Sequence, residues 1–262
     1  MSLGRAAATV GGGAVMVAGG FYLGYASLLR KSNKESPPTE KERRDTFDKL
    51  ATVYDNVVYV DEAFNGVQGW RRRLIQKARG DVLEVAIGTG RNFDYYLLPK
   101  VKSITGTDFS RPMLKVAEQK KAKIDPIPLR LVVSNCLKMT EFPDETFDSV
   151  VDTFGICSYE KPVESLREMG RVLKKDGELL LLEHGQAVVP AITNYLNKKT
   201  IKHAKKFGCF YDRDILSLVD EAGFDVKEVR RRHFGTTYMI TAVKPRGGLR
   251  GSRRVSSQLT EN

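Results

Sequence analysis

Between Asp81 and His184 the chain keeps switching its hydrophobic period, and that alternation leaves few folds open. Short runs rich in Val, Ile and Leu, "DVLEVA", "VKSITGTD", "PLRLVVS", "FDSVVDTF" and "GELLLLEH", are interleaved with stretches of helical spacing at 91–97, 111–121 and 162–173. Runs that are apolar on both faces and separated by helices belong in a parallel sheet covered on both sides. Two more helical stretches, 190–206 and 212–222, lead into "FDVKEVRRR" and "TTYMITAVK", a strand pair that closes the sheet. The predicted fold is α/β, a mostly parallel seven-stranded sheet flanked by helices.

Upstream, "DTFDKLATVYDNVV" places Phe47, Leu50, Tyr54, Val57 and Val58 on one helical face, as expected of an amphipathic helix packed on the domain. The run Ala6–Leu29 carries no charge. At about 1.5 Å per residue it crosses a hydrocarbon core of roughly 30 Å, so residues 1–30 are expected to be a membrane anchor. A secretory signal or a presequence fits less well, because only Arg5 precedes the run. Arg30, Lys31 and Lys34 follow it and favour keeping the body of the protein in the cytoplasm or the matrix. Residues 31–44, with Pro37 and Pro38, are predicted to be a solvated linker, 45–245 the folded domain, and 246–262 a disordered basic tail.

The turn after the first run, "VLEVAIGTGRN", asks which nucleotide it can hold. A dinucleotide turn needs a third glycine for close helix packing; counting from Ala86 or from Gly88, that place falls on Arg91 or Phe93. A phosphate loop needs Lys then Ser or Thr, and Arg91-Asn92 stand there. The spacing Glu84, Ala86, Gly88, Gly90 suits S-adenosylmethionine instead, which has an ammonium and an adenosine but no pyrophosphate. Asp108, at the tip of the next strand and about 20 residues on, is placed to accept both ribose hydroxyls.

With "ITGTDFSRPMLKVA", "SNCLKMTEFPDETFDSVV" and "EMGRVLKKDGELLLLEHG" added, residues 45–244 resemble the class I S-adenosylmethionine-dependent methyltransferases, with their Rossmann-like fold. The resemblance implies that Glu84, Gly88 and Gly90 line the methionine end of the cofactor and Asp108 the ribose. Phe109, Ser110 and Met113 would flank the adenosine. Asn135, followed by Cys136, stands where the family usually has the Asp that binds the adenine amino group, and Ala86 replaces the family's first glycine; its methyl is tolerated if φ there is negative. A closer resemblance, in "DTFGICSYEKPVESLREMGRVLKKDGELLLLEHG", "HAKKFGCFYDRDI" and the anchor, is to a membrane-anchored methyltransferase-like group. That group includes a fungal mitochondrial inner-membrane protein and animal endoplasmic-reticulum thiol methyltransferases. It implies the mitochondrial inner membrane with the domain in the matrix or, alternatively, the endoplasmic reticulum facing the cytoplasm. The segment around Tyr54 resembles that of quinone C-methyltransferases, in which the tyrosine caps the cofactor.

Methyl transfer from a sulfonium is an in-line displacement, so positioning supplies most of the catalysis and no triad is expected. Asp152, Thr153 and Cys157 after the fourth strand, with Glu183 and His184 after the fifth, fall where the methyl should emerge. His184 and Asp152 are the candidate general bases, although a backbone-bonded histidine is the plainer account of His184. His203, Cys209 and Tyr211 belong to a segment that either covers the acceptor or simply packs. Cys136, Cys157 and Cys209 follow no metal-ligand spacing, so reduced thiols and no metal are expected. The formal charge of +11 calls for anionic surroundings. Arg71–Arg73, Arg230–Arg232 and the tail suit lipid headgroups, and nucleic acid is not expected because no aromatic-interleaved RNA-binding motif is present. The expected acceptor is small and hydrophobic: a thiol, a quinone precursor or a lipid. Two rival readings are an inactive methyltransferase-like scaffold, motivated by Ala86 and Asn135, and an RNA or protein methyltransferase.

Overall fold

In the computed structural model, which describes residues 36–249, a seven-stranded sheet carries the domain. Its strands are β1 (Gly80–Val85), β2 (Val101–Asp108), β3 (Leu129–Val133), β4 (Phe147–Thr153), β5 (Leu173–His184), β6 (Asp225–Arg232) and β7 (Thr237–Val243), in the order β3-β2-β1-β4-β5-β7-β6. The first five pair in parallel, and β7 runs antiparallel to both neighbours, so the predicted strand pair does close the sheet. The run Leu179–Leu182 explains why both faces are covered. Leu179 and Leu181 enter one buried cluster with Val85 and Leu166, while Leu180 and Leu182 enter the other with Val82 and Leu114. All four are fully buried. Such a strand is stable only between two helical layers.

The helices are α1 (Glu40–Leu50), α2 (Tyr54–Phe64), α3 (Val67–Ile75), α4 (Arg111–Gln119), α5 (Pro162–Val172), α6 (Pro190–Asn197), α7 (Thr200–Phe207) and α8 (Ile215–Glu221). The structure corrects the sequence reading in several places. Helix α1 begins inside the segment expected to be linker, because Thr39 and Glu42 form a reciprocal cap: the Glu42 amide donates to Thr39 Oγ1 at 3.3 Å and the Thr39 amide to Glu42 Oε2 at 2.7 Å. The single helix expected around Tyr54 is two, separated by a tightened turn in which the Val53 amide bonds the Leu50 carbonyl at 2.9 Å. The stretch 190–206 is likewise broken, at Lys198 and Lys199. Residues 91–97 form no α-helix. A succession of i+3 bonds, Gly90 to Ile87, Phe93 to Gly90 and Tyr95 to Asn92, gives 3₁₀ turns, and Pro99 has no amide to continue them.

The anchor expected at 6–29 and most of the tail lie outside the described residues. Among the described residues no helix is long and apolar enough to cross a membrane.

Candidate active site

Helix α4 packs on one face of the sheet and α5 on the other, so a crevice opens where the connections diverge, beyond the carboxyl ends of β1 and β4. The cavity there measures about 1020 Å³ including its open mouth. Its walls come from Glu84, Ala86 and Gly88 after β1, Asp108, Phe109 and Met113 after β2, Asn135 and Cys136 after β3, and Thr153 after β4. Glu40, Arg43 and Phe47 of α1, with Tyr54 of α2, complete the lining. The segment expected to be linker thus supplies part of the site, and Tyr54 lines it beside Phe47, whose ring lies edge-on at 6.4 Å. Burial pushes the Tyr54 phenol above its ordinary range.

The glycine turn is held by Asp108. Its Oδ2 accepts from the Gly88 amide at 2.9 Å and its Oδ1 from the Ser110 amide at 2.8 Å. Burial raises this carboxyl to about 6 against those bonds. Each oxygen keeps a second lone pair for a hydroxyl. Gly88 has φ +56°, and a Cβ there would meet only the Ala86 carbonyl oxygen, at 4.0 Å, so the backbone presents a bare surface to the cavity. Gly90 and Ser110 stand outside the lining. Gly90, at φ +73°, makes room for Phe93, whose ring would lie 2.5 Å from a Cβ; Ser110 is fully buried and caps α4 by accepting from the Met113 amide. Ala86 has φ +50°, not the negative angle that would make its methyl harmless. A left-handed alanine is strained by about 1–2 kcal/mol.

At the end of β1 lies a charged network that was hidden from the sequence. Glu84 is buried, with Oε1 accepting from Asn92 Nδ2 at 2.8 Å and Oε2 from the Tyr96 hydroxyl at 2.6 Å. Burial lifts its carboxyl to about 7, the two bonds opposing. Arg71, expected on a basic surface cluster, is instead buried in the cavity wall. Its guanidinium donates to Asn92 at 2.8 Å, Thr153 at 2.9 Å and Glu62 at 2.6 Å, while its Nε has no partner. A signal was available: Arg71 shares the buried stripe of α3 with Val67, Leu74 and Ile75, where a charge needs a reason. A fixed cation beside a carboxylate suits the paired carboxylate and ammonium of an amino-acid end.

At the ends of β2 and β3, Thr107 Oγ1 and Ser134 Oγ are buried, line the cavity and lack partners. Two such hydroxyls fit a ligand carrying its own polar groups, so the residues present suit S-adenosylmethionine. Asn135 is exposed, and its amide oxygen already accepts from the Leu137 amide at 2.9 Å. The Cys136 thiol is pushed up to about 12 by burial.

Neither candidate base reaches the cavity. Asp152 and Glu183 are fully buried behind the 154–159 loop. Asp152 accepts from the Gly155 amide at 2.8 Å and from the Tyr159 hydroxyl; Glu183 accepts from the Ile156 and Cys157 amides at 3.3 and 3.1 Å. Burial raises both carboxyls, and the bonds they accept shape a loop whose Phe154, Gly155, Ser158 and Tyr159 do line the cavity. His184 stacks on Phe154 with centroids 4.3 Å apart. His203 packs against Phe207 and Tyr211, and burial lowers it to about 4. The fold also gathers Cys157, His184 and Cys209, which no spacing rule would join.

Residues 83–181, from β1 to β5, match the methyltransferase domain family model. The mitochondrial methyltransferase OMS1 of Saccharomyces cerevisiae is 30% identical over 76% of this chain, which spans 46% of the OMS1 length. A phosphatidylethanolamine N-methyltransferase of Cereibacter sphaeroides is 33% identical over 52% of this chain and 68% of its own. A demethylmenaquinone methyltransferase of Bacteroides fragilis is 26% identical over 76% of this chain and 90% of its own. With the Gly88–Asp108 cradle at the carboxyl edge of the sheet, these likenesses show that the chain belongs to the class I S-adenosylmethionine-dependent methyltransferases and takes its methyl group from that cofactor.

Proposed function

We propose that the enzyme methylates a small hydrophobic acceptor, a thiol, a quinone precursor or a lipid, that reaches the cavity from a membrane surface. The observation that carries this reading is an apolar face beside the site. Helix α2, whose first residue lines the cavity, turns Val57, Val60 and Phe64 outward in one stripe, and Phe64 is 90% exposed. Phe234, 70% exposed, belongs to the same face: His233 Nε2 lies 2.9 Å from the Asn65 carbonyl, and the Val188 amide, on another exposed apolar residue, donates to the Phe234 carbonyl at 2.9 Å. Exposed Arg232, whose guanidinium lies beside Gly66 just past the end of α2, borders it. Apolar side chains rimmed by arginine suit an anionic bilayer, whose headgroups attract the rim while the aromatic tips enter the interface.

The relatives support the acceptor class, since one is named for phosphatidylethanolamine and another for demethylmenaquinone. The cofactor supplies an activated methyl group. This chain's part is to fix it with Asp108, Arg71 and Glu84 and to exclude water beneath α1. Residues 6–29 would anchor the chain in the mitochondrial inner membrane with the domain in the matrix, a placement supported by the likeness to mitochondrial OMS1.

The test is transfer of labelled methyl from S-adenosylmethionine by the full chain in anionic vesicles to alkyl thiols, quinone precursors and phosphatidylethanolamine. Label in one of these acceptors, reduced by Phe64→Ser with Phe234→Ser, is the expected result. Label confined to RNA or protein would overturn it.

A further inference from the structure

We propose that Cys157, His184 and Cys209 form a binding site for one zinc ion, which ties two loops to the end of β5 behind the acceptor side of the cavity. One ligand atom from each lies within 4.8 Å of the others. The two Sγ atoms are 3.0 Å apart, and Cys209 Sγ is 3.8 Å from His184 Nδ1. Around tetrahedral zinc, with bonds of about 2.3 Å to sulfur and about 2.0 Å to nitrogen, donor atoms stand roughly 3.5–3.8 Å from one another. The Cys209–His184 separation is already there; opening the sulfur pair by less than about 1 Å, and bringing Cys157 and His184, now within 4.8 Å, to the same spacing, completes the set.

The donor chemistry selects the ion. Two thiolates and an imidazole are soft ligands that favour zinc over calcium or magnesium, and the charge of two thiolates cancels that of the ion, so the assembly can be buried. Cys157 and Cys209 are buried and His184 is half-buried, which leaves one side for entry and for a water as fourth ligand.

The surroundings hold the ligands in place. The Cys157 carbonyl accepts from the Phe210 amide at 2.8 Å, which fixes the loop carrying Cys209 against the loop after β4. The Cys157 amide donates to Glu183, and Arg213 donates to the Ile156 and Tyr159 carbonyls at 2.5 Å each. The stack on Phe154 sets the plane of the His184 ring. Phe154 itself lines the cavity, so an ion here would stiffen its wall. Supporting bonds of this kind orient metal ligands. Each ligand comes from a different element, which is why their order in the sequence gives no metal motif.

The experiment uses the full chain, purified in reductant without chelator. Zinc per chain is measured by mass spectrometry, zinc affinity by titration, thiols with a thiol reagent, and S-adenosylhomocysteine binding in parallel as an independent check on folding and on the cofactor site. The expected result is about one zinc per chain, removed by chelator with a fall in melting temperature and the appearance of two reactive thiols. Cys209→Ser and His184→Asn should each weaken zinc binding by about tenfold or more while S-adenosylhomocysteine still binds, and Cys136→Ser should leave zinc binding unchanged. Folded, reduced wild type that takes up no more zinc than Cys209→Ser would overturn the site. So would loss of the two thiols to a dithiothreitol-reversible disulfide in chain that binds no zinc.

Discussion

The Gly88 amide donates to Asp108 Oδ2 at 2.9 Å, fastening the turn after β1 to the tip of β2, while Ser110 holds the other oxygen. One carboxylate therefore both shapes the turn and faces the cavity. In Asp108→Ala both amides lose their acceptor inside a buried site, at about 1–3 kcal/mol each. The variant should melt earlier and bind S-adenosylhomocysteine at least about tenfold more weakly, the ribose having lost its charged acceptor. Calorimetric titration of the folded variant checks this, and unchanged affinity would refute the ribose assignment.

Ala86 sits at φ +50° in the cavity wall. Glycine adopts that angle without strain, so Ala86→Gly should stabilise the fold by about 1 kcal/mol and leave cofactor binding equal or tighter. Thermal melts with and without S-adenosylhomocysteine read both effects. A marked loss of affinity would mean that the methyl contacts the ligand favourably.

Much of this site was legible because strand tips and glycine turns are local. The run from Val82 to Gly88 shows a strand and a tight turn, and Asp108 follows from counting to the next strand. Arg71 was not, since its burial depends on Glu62, Asn92 and Thr153, which come from three other elements. The first half of the roof over the cavity escaped for a different reason. Phe47 and Leu50 mark the end of α1, but Glu40–Thr46 carry no apolar side chain to show a period, and only the Thr39–Glu42 cap marks the start. Ser110 was assigned to the adenosine's flank by the family resemblance; its hydroxyl caps α4 and donates to Asp48.

Arg71 donates to Asn92, which in turn donates to Glu84, so the cation and the carboxylate are set relative to each other before any ligand arrives. If Arg71 receives the carboxylate of the amino-acid end, Arg71→Met should weaken S-adenosylhomocysteine by about tenfold or more. Methylthioadenosine, which lacks that end, should bind nearly as before. Equal losses for both ligands would show that Arg71 serves only the fold.

The Glu84 carboxyl, raised to about 7 by burial from an ordinary 4.5, makes cofactor binding sensitive to pH near neutrality. In the free protein the folded state holds this proton more tightly than the unfolded chain does. The group's contribution to stability is therefore complete below about 4.5 and is lost as pH rises to about 7, a difference of order 3 kcal/mol. Binding has the opposite sign. The ligand's ammonium favours the ionised carboxylate, so occupancy pulls the proton off, and affinity should rise with pH up to about 7 and level off above it. Asp108, at about 6, adds to the rise in the lower part of that window. Titrations with S-adenosylhomocysteine at pH 6, 7 and 8, in two buffers of different ionisation enthalpy, should show affinity increasing and protons released at the lowest pH. Glu84→Gln should remove most of the rise between pH 6 and 7 and weaken binding above it, because an amide cannot supply the charge. An affinity that falls from pH 6 to 8 in the wild type would place the ammonium away from Glu84.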